Sequence, residues 1–147
     1  MIRQFSAGGV VYKKQAGQTL FLLCKSSNPN INYSWGLPKG WLDDQSEGIP
    51  GPKTLGIKKA TPEEIEATAL KEVREEGGVD AKIISRLENV QFFFVNEHKE
   101  KVFKTVIYFL MEYIRDLPEG FGFETSEIAW VDAITACDLL KKRKGEC

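Results

Sequence analysis

Histidine is nearly absent from this chain: His98 is the only one in 147 residues. That excludes a histidine-based catalytic triad and a multi-histidine zinc site. His98 sits in the polar run Asn96-Glu97-His98-Lys99-Glu100 and reads as a solvated loop residue. Cysteine is scarce as well. Cys24, Cys137 and Cys147 are odd in number and far apart, with no metal-ligand spacing and no disulfide framework; they read as reduced thiols of a cytoplasmic protein. No apolar run reaches the roughly 18–20 residues of a membrane span, and residues 1–6 lack the apolar stretch of a signal peptide. An excess of one charge is missing too. Twenty basic and 21 acidic residues leave a formal charge of −1, which argues against a general nucleic-acid binder.

What is present suits one ordinary domain: 42% hydrophobic and 28% charged residues can build a core and keep it soluble. Ser6-Ala7-Gly8-Gly9-Val10-Val11-Tyr12 reads as a strand whose glycines admit a close neighbour. Thr19-Leu20-Phe21-Leu22-Leu23-Cys24 reads as a central strand, joined to the first by a hairpin turn within residues 13–18. Residues 41–60 hold Asp43, Asp44, Gly48, Pro50, Gly51, Pro52 and Gly56 and read as a long polar loop, a candidate mobile lid because loops of this length are often functional. Thr61-Pro62-Glu63-Glu64 predicts a helix start, with Thr61 as N-cap, Pro62 in the first turn and Glu64 closing a capping box. That helix runs to about Glu76, and Gly77-Gly78 stops it. Strands follow near 81–86, 89–95, 102–114 and 128–131. A last helix begins within residues 132–135 and ends in the basic run Lys141-Lys142-Arg143-Lys144.

The helix after Thr61 carries the chemistry. Glu72, Glu75 and Glu76 lie on one edge of it, spanning roughly a quarter of its circumference at about 100° per residue. The apolar stripe of Ile65, Ala69 and Val73 lies beside them. Glu72 and Glu76 are like charges at i,i+4, which costs about 0.2–0.5 kcal/mol in an isolated helix. A carboxylate cluster against a buried face calls for a cation, and hard oxygen ligands suit Mg²⁺ or Mn²⁺.

Lys71-Glu72-Val73-Arg74-Glu75-Glu76-Gly77-Gly78-Val79 resembles the second half of the Nudix hydrolase signature, with lysine in place of its arginine. Leu37-Pro38-Lys39-Gly40 is similar to the segment that opens that signature. Phe21-Leu22-Leu23, Lys104-Thr105-Val106-Ile107-Tyr108-Phe109-Leu110, and Glu124 ahead of Trp130 resemble the dinucleoside tetraphosphate hydrolase branch. Two departures stand out. Residues 41–62 separate Gly40 from Glu63, where the pattern has five residues; Glu63 is the matching glutamate by its distance from Lys71, and Glu47 fills the place if the loop folds back. Lys71 keeps the positive charge of the arginine without its planar fork, so weakened orientation of the glutamates is expected rather than lost chemistry.

The resemblance implies an α/β/α sandwich: a mixed, partly antiparallel sheet between helices, as a single domain over 1–147 with an inserted loop at about 41–60. It implies a Mg²⁺-dependent pyrophosphohydrolase (Mn²⁺ as alternative) acting on a nucleotide substrate, with a dinucleoside polyphosphate such as diadenosine tetraphosphate favoured. A nucleoside triphosphate or RNA 5′-end pyrophosphohydrolase, or a non-catalytic nucleotide-binding domain, are the alternatives. Metal binding falls to Glu72, Glu75 and Glu76 with the Gly40 carbonyl, and Lys71 orients them. One of Glu72, Glu75 and Glu76, or a loop glutamate, Glu124 or Glu127, is the base, Glu124 being preferred from its spacing to Trp130. Lys39 and Lys104 would clamp phosphate, with Tyr108 bordering a base; Tyr33, Trp35 and residues 92–94 are further aromatic platforms. No membrane or nucleic-acid partner is expected, and the oligomeric state is open.

Overall fold

The computed structural model describes residues 1–28, 35–46 and 48–140. Tyr33, Glu47, the basic run at 141–144 and Cys147, all named above, lie outside them. Two long strands start the chain: β1 (Ile2–Gln15) and β2 (Gln18–Ser26). They form a hairpin through Ala16 and Gly17, both with positive φ (51° and 79°), a turn whose twist matches that of the paired strands.

The hairpin is paired only at its turn end, from Tyr12↔Phe21 to Gln15↔Gln18. Beyond that point the two strands part. The gap is filled by β3 (Trp35–Gly36), which pairs with Cys24 and Lys25, and by β4 (Lys39–Trp41), which pairs with Ser6, Ala7 and Gly8. Gly8 has a structural reason here: a Cβ would collide with the Pro38 carbonyl and come within 2.7 Å of Lys39 Cβ. β5 (Asp44–Ser46) and β6 (Ile49–Pro50) make a small separate hairpin. Helix α1 (Pro62–Gly77) follows, then β7 (Val79–Arg86), β8 (Val90–Val95), β9 (Lys101–Asp116), β10 (Thr125–Val131) and α2 (Ala133–Leu140).

The main sheet runs β10-β2-β1-β9-β7. β1 and β9 are parallel at its centre, while the other pairs are antiparallel. The two faces bury different cores. Ala7, Val11, Leu22, Ile107, Phe109 and Met111 pack with Ala69 and Val73 of α1. Leu23, Val106 and Tyr108 pack with Ala136 and Leu140 of α2. Alternation along each strand sends neighbours to opposite faces, so the helices lie on opposite sides of the sheet and the α/β/α sandwich holds. No helix among the described residues is long and apolar enough to cross a membrane.

The α1 start follows the sequence reading. The Thr61 hydroxyl accepts from Glu64 N–H at 3.2 Å, and the Glu64 carboxylate accepts from Thr61 N–H at 2.9 Å. Gly78 ends the helix with φ 70° and donates its N–H to Arg74 O at 3.0 Å. Glu63 occupies an exposed position in the first turn of α1.

One reading changes. Residues 51–60 are not a free loop. The Asp43 carboxylate accepts from Lys53 N–H (3.0 Å) and Thr54 N–H (2.8 Å), and the Thr54 hydroxyl meets the Asp43 backbone. Thr54 is fully buried, and its carbonyl accepts from Phe5 N–H at 2.7 Å. Lys53 pairs with Glu64 of the capping box. The second half of the insertion is thus a clasp that ties β1, the residues just after β4 and the start of α1 together. Polar composition concealed it because the bonds are satisfied by backbone groups that sequence patterning does not register. Among the cysteines, Cys24 is a buried free thiol, as expected.

Candidate active site

The parted hairpin makes the site. Where β1 and β2 separate, β4 brings Lys39 and Gly40 against the last two turns of α1. An open cleft of about 780 Å³ forms there. Glu72 and Glu76 line it from α1, Lys39 and Gly40 from β4, Lys104 from β9 and Glu124 from the loop before β10.

Helix geometry ranks the three glutamates. With about 100° per residue, Glu76 lies roughly 60° from the buried Val73, Glu72 about 100°, and Glu75 about 160°. Glu75 accordingly points away and its side chain is 51% exposed, whereas that of Glu72 is 13% exposed. Gly40 and Glu72 meet closely: a Cβ on Gly40 would lie 2.6 Å from Glu72 Oε2. A carboxylate is therefore held against bare backbone that only glycine leaves open. Glu76 Oε1 accepts from Lys39 N–H at 3.2 Å.

Both half-buried carboxyls are driven toward the neutral form. Burial pushes Glu72 up to about 7; Lys71 opposes this, while Glu75, Glu124 and Asp44 add to it. Burial also raises Glu76, followed by repulsion from Glu72, against the opposing Lys39 N–H and ammonium. Desolvation disfavours charge, and nearby like charge disfavours it again. The same field acts on Cys24, where burial raises the thiol first and Glu76 next.

Lys71 sits at 3.3 Å from Glu75, as the i,i+4 spacing predicts, and at 3.7 Å from Glu72. Partial burial lowers its pKa, but Glu72, Glu75 and Asp44 outweigh that, and it ends raised. Glu124 reaches the cleft because its loop is tied at both ends. Leu117 N–H donates to Gly78 O (2.8 Å) and Gly122 N–H to Glu75 O (2.6 Å) at the end of α1. Ser27, at the end of β2, donates its N–H to Glu124 O (3.0 Å) and its hydroxyl to Phe123 O (2.8 Å).

The structure therefore gathers Lys39, Gly40, Lys71, Glu72, Glu76, Lys104 and Glu124 around one opening. It sets three expected residues apart. Glu75 is turned to solvent and paired with Lys71. Glu127 points out from β10, 3.9 Å from Lys25. Tyr108 is 2% exposed and packs in the α2-side core. Asp44 and Ser6 line the cleft and were missed. Asp44 falls in a stretch read as loop, and Ser6 inside a strand pattern where a lone serine carries no motif.

Among the described residues, no three histidine, cysteine or acidic groups close around a common metal position. The donor chemistry nevertheless fits a hard divalent cation. Two half-buried carboxyls with raised pKa values lie against the backbone of Lys39 and Gly40, and a third carboxylate, Glu124, lines the same cleft. A cation there would offset the repulsion that now favours protonation.

A family profile described as NUDIX domain matches residues 2–146. A curated Mycobacterium tuberculosis protein carrying the mutator name MutT4 is 31% identical over 97 residues, 66% of this chain. The match spans only 32% of that relative's length. Among solved structures, a Caenorhabditis elegans Ap4A hydrolase binary complex aligns with TM-score 0.60 at 23% identity, covering 94% of this chain and 86% of that one. The NUDIX domain of Shewanella oneidensis NrtR in complex with ADP ribose aligns with TM-score 0.64 at 17% identity, covering 95% and 79%.

Proposed function

The chain belongs to the NUDIX family, and on that premise we propose that it is a divalent-metal-dependent pyrophosphohydrolase that cleaves a phosphoanhydride bond of a nucleoside polyphosphate. The single observation that carries the reading is the pair of half-buried glutamates, Glu72 against Gly40 and Glu76 on the Lys39 N–H, with Glu124 lining the same cleft. Such desolvated carboxyls are costly to a fold that does not use them. Chain 1–147 is read as one such domain with the insertion at 41–60 inside it.

Glu72, Glu76 and the Gly40 carbonyl would hold the cation, with Mg²⁺ preferred, and Glu75 would join them once its carboxylate leaves Lys71. When bound, the cation neutralises phosphoryl oxygens and acidifies a water. Lys39 and Lys104 bind the polyphosphate as compact positive charges. Glu124 takes a proton from the attacking water. The water oxygen bonds to phosphorus, the bridging P–O bond breaks, and the electron pair leaves with the departing phosphate. The substrate reading is a dinucleoside polyphosphate such as diadenosine tetraphosphate. The resemblance of residues 21–23, residues 104–110 and Glu124 ahead of Trp130 to the dinucleoside tetraphosphate hydrolases supports it, as does the likeness to the Ap4A hydrolase fold. The expected products are a mononucleotide and a nucleoside polyphosphate.

A panel of diadenosine tetraphosphate, nucleoside triphosphates, ADP-ribose and triphosphorylated RNA, each with and without Mg²⁺, tests this. Expected is metal-dependent turnover, fastest on the dinucleoside, and a Glu76→Gln variant that binds nucleotide but turns over at least about 10²-fold more slowly. Turnover by Glu76→Gln at the wild-type rate, or none by wild type on any substrate, overturns it.

A further inference from the structure

We propose that Ser6 is a substrate-recognition residue: its hydroxyl donates a hydrogen bond to a phosphoryl oxygen of the bound polyphosphate, beside Lys104, on the sheet face opposite the catalytic helix. The proposal rests on the polyphosphate reading above and adds a residue to it.

Ser6 is 1% exposed, and its Oγ is a buried polar atom with no hydrogen-bond partner among the described residues. A buried hydroxyl left unpaired costs free energy that a strand position could avoid with alanine. Ser6 is not sealed in a core, for it lines the cleft.

The strand registers say what stands beside it. Gln4 and Ser6 are opposite Lys104 and Val106 in the parallel β1–β9 pair, and Ser6 is opposite Trp41 in the antiparallel β1–β4 pair. Residues paired across strands share a face, and so do residues two apart on one strand. Ser6, Lys104 and Trp41 therefore line the same face, and all three border the cleft. Gly40, between Lys39 and Trp41, faces the other way toward Glu72. The cleft thus passes through the parted hairpin. Its acidic wall is on the α1 side. On the other side are a 7%-exposed lysine and a hydroxyl with a hydrogen to give. A donor next to a cation suits an oxyanion, and a polyphosphate can place one phosphoryl group at each wall.

The test uses the full chain and the variants Ser6→Ala and Ser6→Cys. Inorganic tripolyphosphate is titrated by calorimetry without added metal, and KM and kcat are measured on diadenosine tetraphosphate with Mg²⁺. Expected for both variants is about tenfold weaker tripolyphosphate binding and a KM raised by a similar factor, with kcat within twofold. The melting temperature should be unchanged or higher, because an unpaired hydroxyl has been removed. Tripolyphosphate binding at wild-type strength in Ser6→Ala overturns the proposal. So does a lowered melting temperature with unchanged KM, or no tripolyphosphate binding by wild type. If wild type binds tripolyphosphate through Ser6 but hydrolyses nothing on the panel, the subsite stands and the enzyme reading falls.

Discussion

Replacing Gly40 with alanine probes the tightest contact of the site. Gly40 has no left-handed φ, so alanine meets no backbone obstacle. Its Cβ would stand 2.6 Å from Glu72 Oε2 and nearer still to the carboxyl carbon. An ordinary contact is about 3.5–4.0 Å, so the carboxylate must retreat by about 1 Å. The displaced atoms are the far end of a flexible side chain, so the fold gives way cheaply. Overpacking in a rigid core costs about 1–3 kcal/mol, and here less than the low end of that range is expected. Catalysis has no such latitude. A misplacement of about 1 Å can cost roughly 10²-fold in rate, or about 2.7 kcal/mol of transition-state stabilisation. Thermal denaturation and steady-state kinetics on the same preparation should therefore separate: a melting temperature within about 3 °C of wild type and kcat/KM down about 10²-fold. Wild-type kcat/KM in Gly40→Ala would refute the reasoning, since Glu72 would then be free to move without consequence.

Three further outcomes are expected. In metal-free protein, Glu72 and Glu76 have folded pKa values raised above their unfolded ones, so their contribution is most favourable below the ordinary glutamate pKa and is lost as pH rises through the raised values. The melting temperature should fall between about pH 5 and 8, Glu76→Gln should flatten that slope, and a slope unchanged in the variant would count against the burial argument. Thr61→Ala removes one half of the capping box and should cost about 1 kcal/mol, read as a melting temperature lower by about 2–4 °C with kcat unchanged; no shift would mean the box contributes nothing. Asp43→Ala strands the Lys53 and Thr54 amides and should cost about 1–3 kcal/mol, with faster hydrogen exchange at both amides. Exchange as slow as in wild type would show that the clasp holds without its carboxylate.

Much of the fold was legible because long strands and a capped amphipathic helix repeat their signals over many residues. The hairpin, α1 with both caps and the aromatic-rich β9 are where periodicity placed them. The glutamates were legible as a group but not in rank: the arc of α1 predicts a shared edge, and only the packing of Val73 shows that Glu75 faces out. Strands β3 and β4 were invisible because two or three residues carry no period, and their place is decided by the parting of β1 from β2. Tyr108 read as a possible base platform from its strand, and the structure puts it under α2, whose arrival no local pattern announces. Ser6 escaped for a related reason, since an unsatisfied hydroxyl is a property of its surroundings rather than of its neighbours in sequence.

The parallel pairing of β1 with β9, from Ile2↔Val102 to Tyr12↔Glu112, bears on how the molecule is made. The central pair of the sheet joins residues about a hundred positions apart, and non-local pairing of this kind slows folding. During synthesis α1 emerges before β9 exists, and domains complete themselves only when their parts are all available. Until the ribosome has passed residue 112, the helix bearing Glu72 and Glu76 has a hairpin to rest on but no finished sheet. A chain that lacks β9 leaves one edge of β1 unpaired and the apolar stripe of α1 without Ile107, Phe109 and Met111 to pack on, so the helix settles into its final place only after the far end of the chain has arrived.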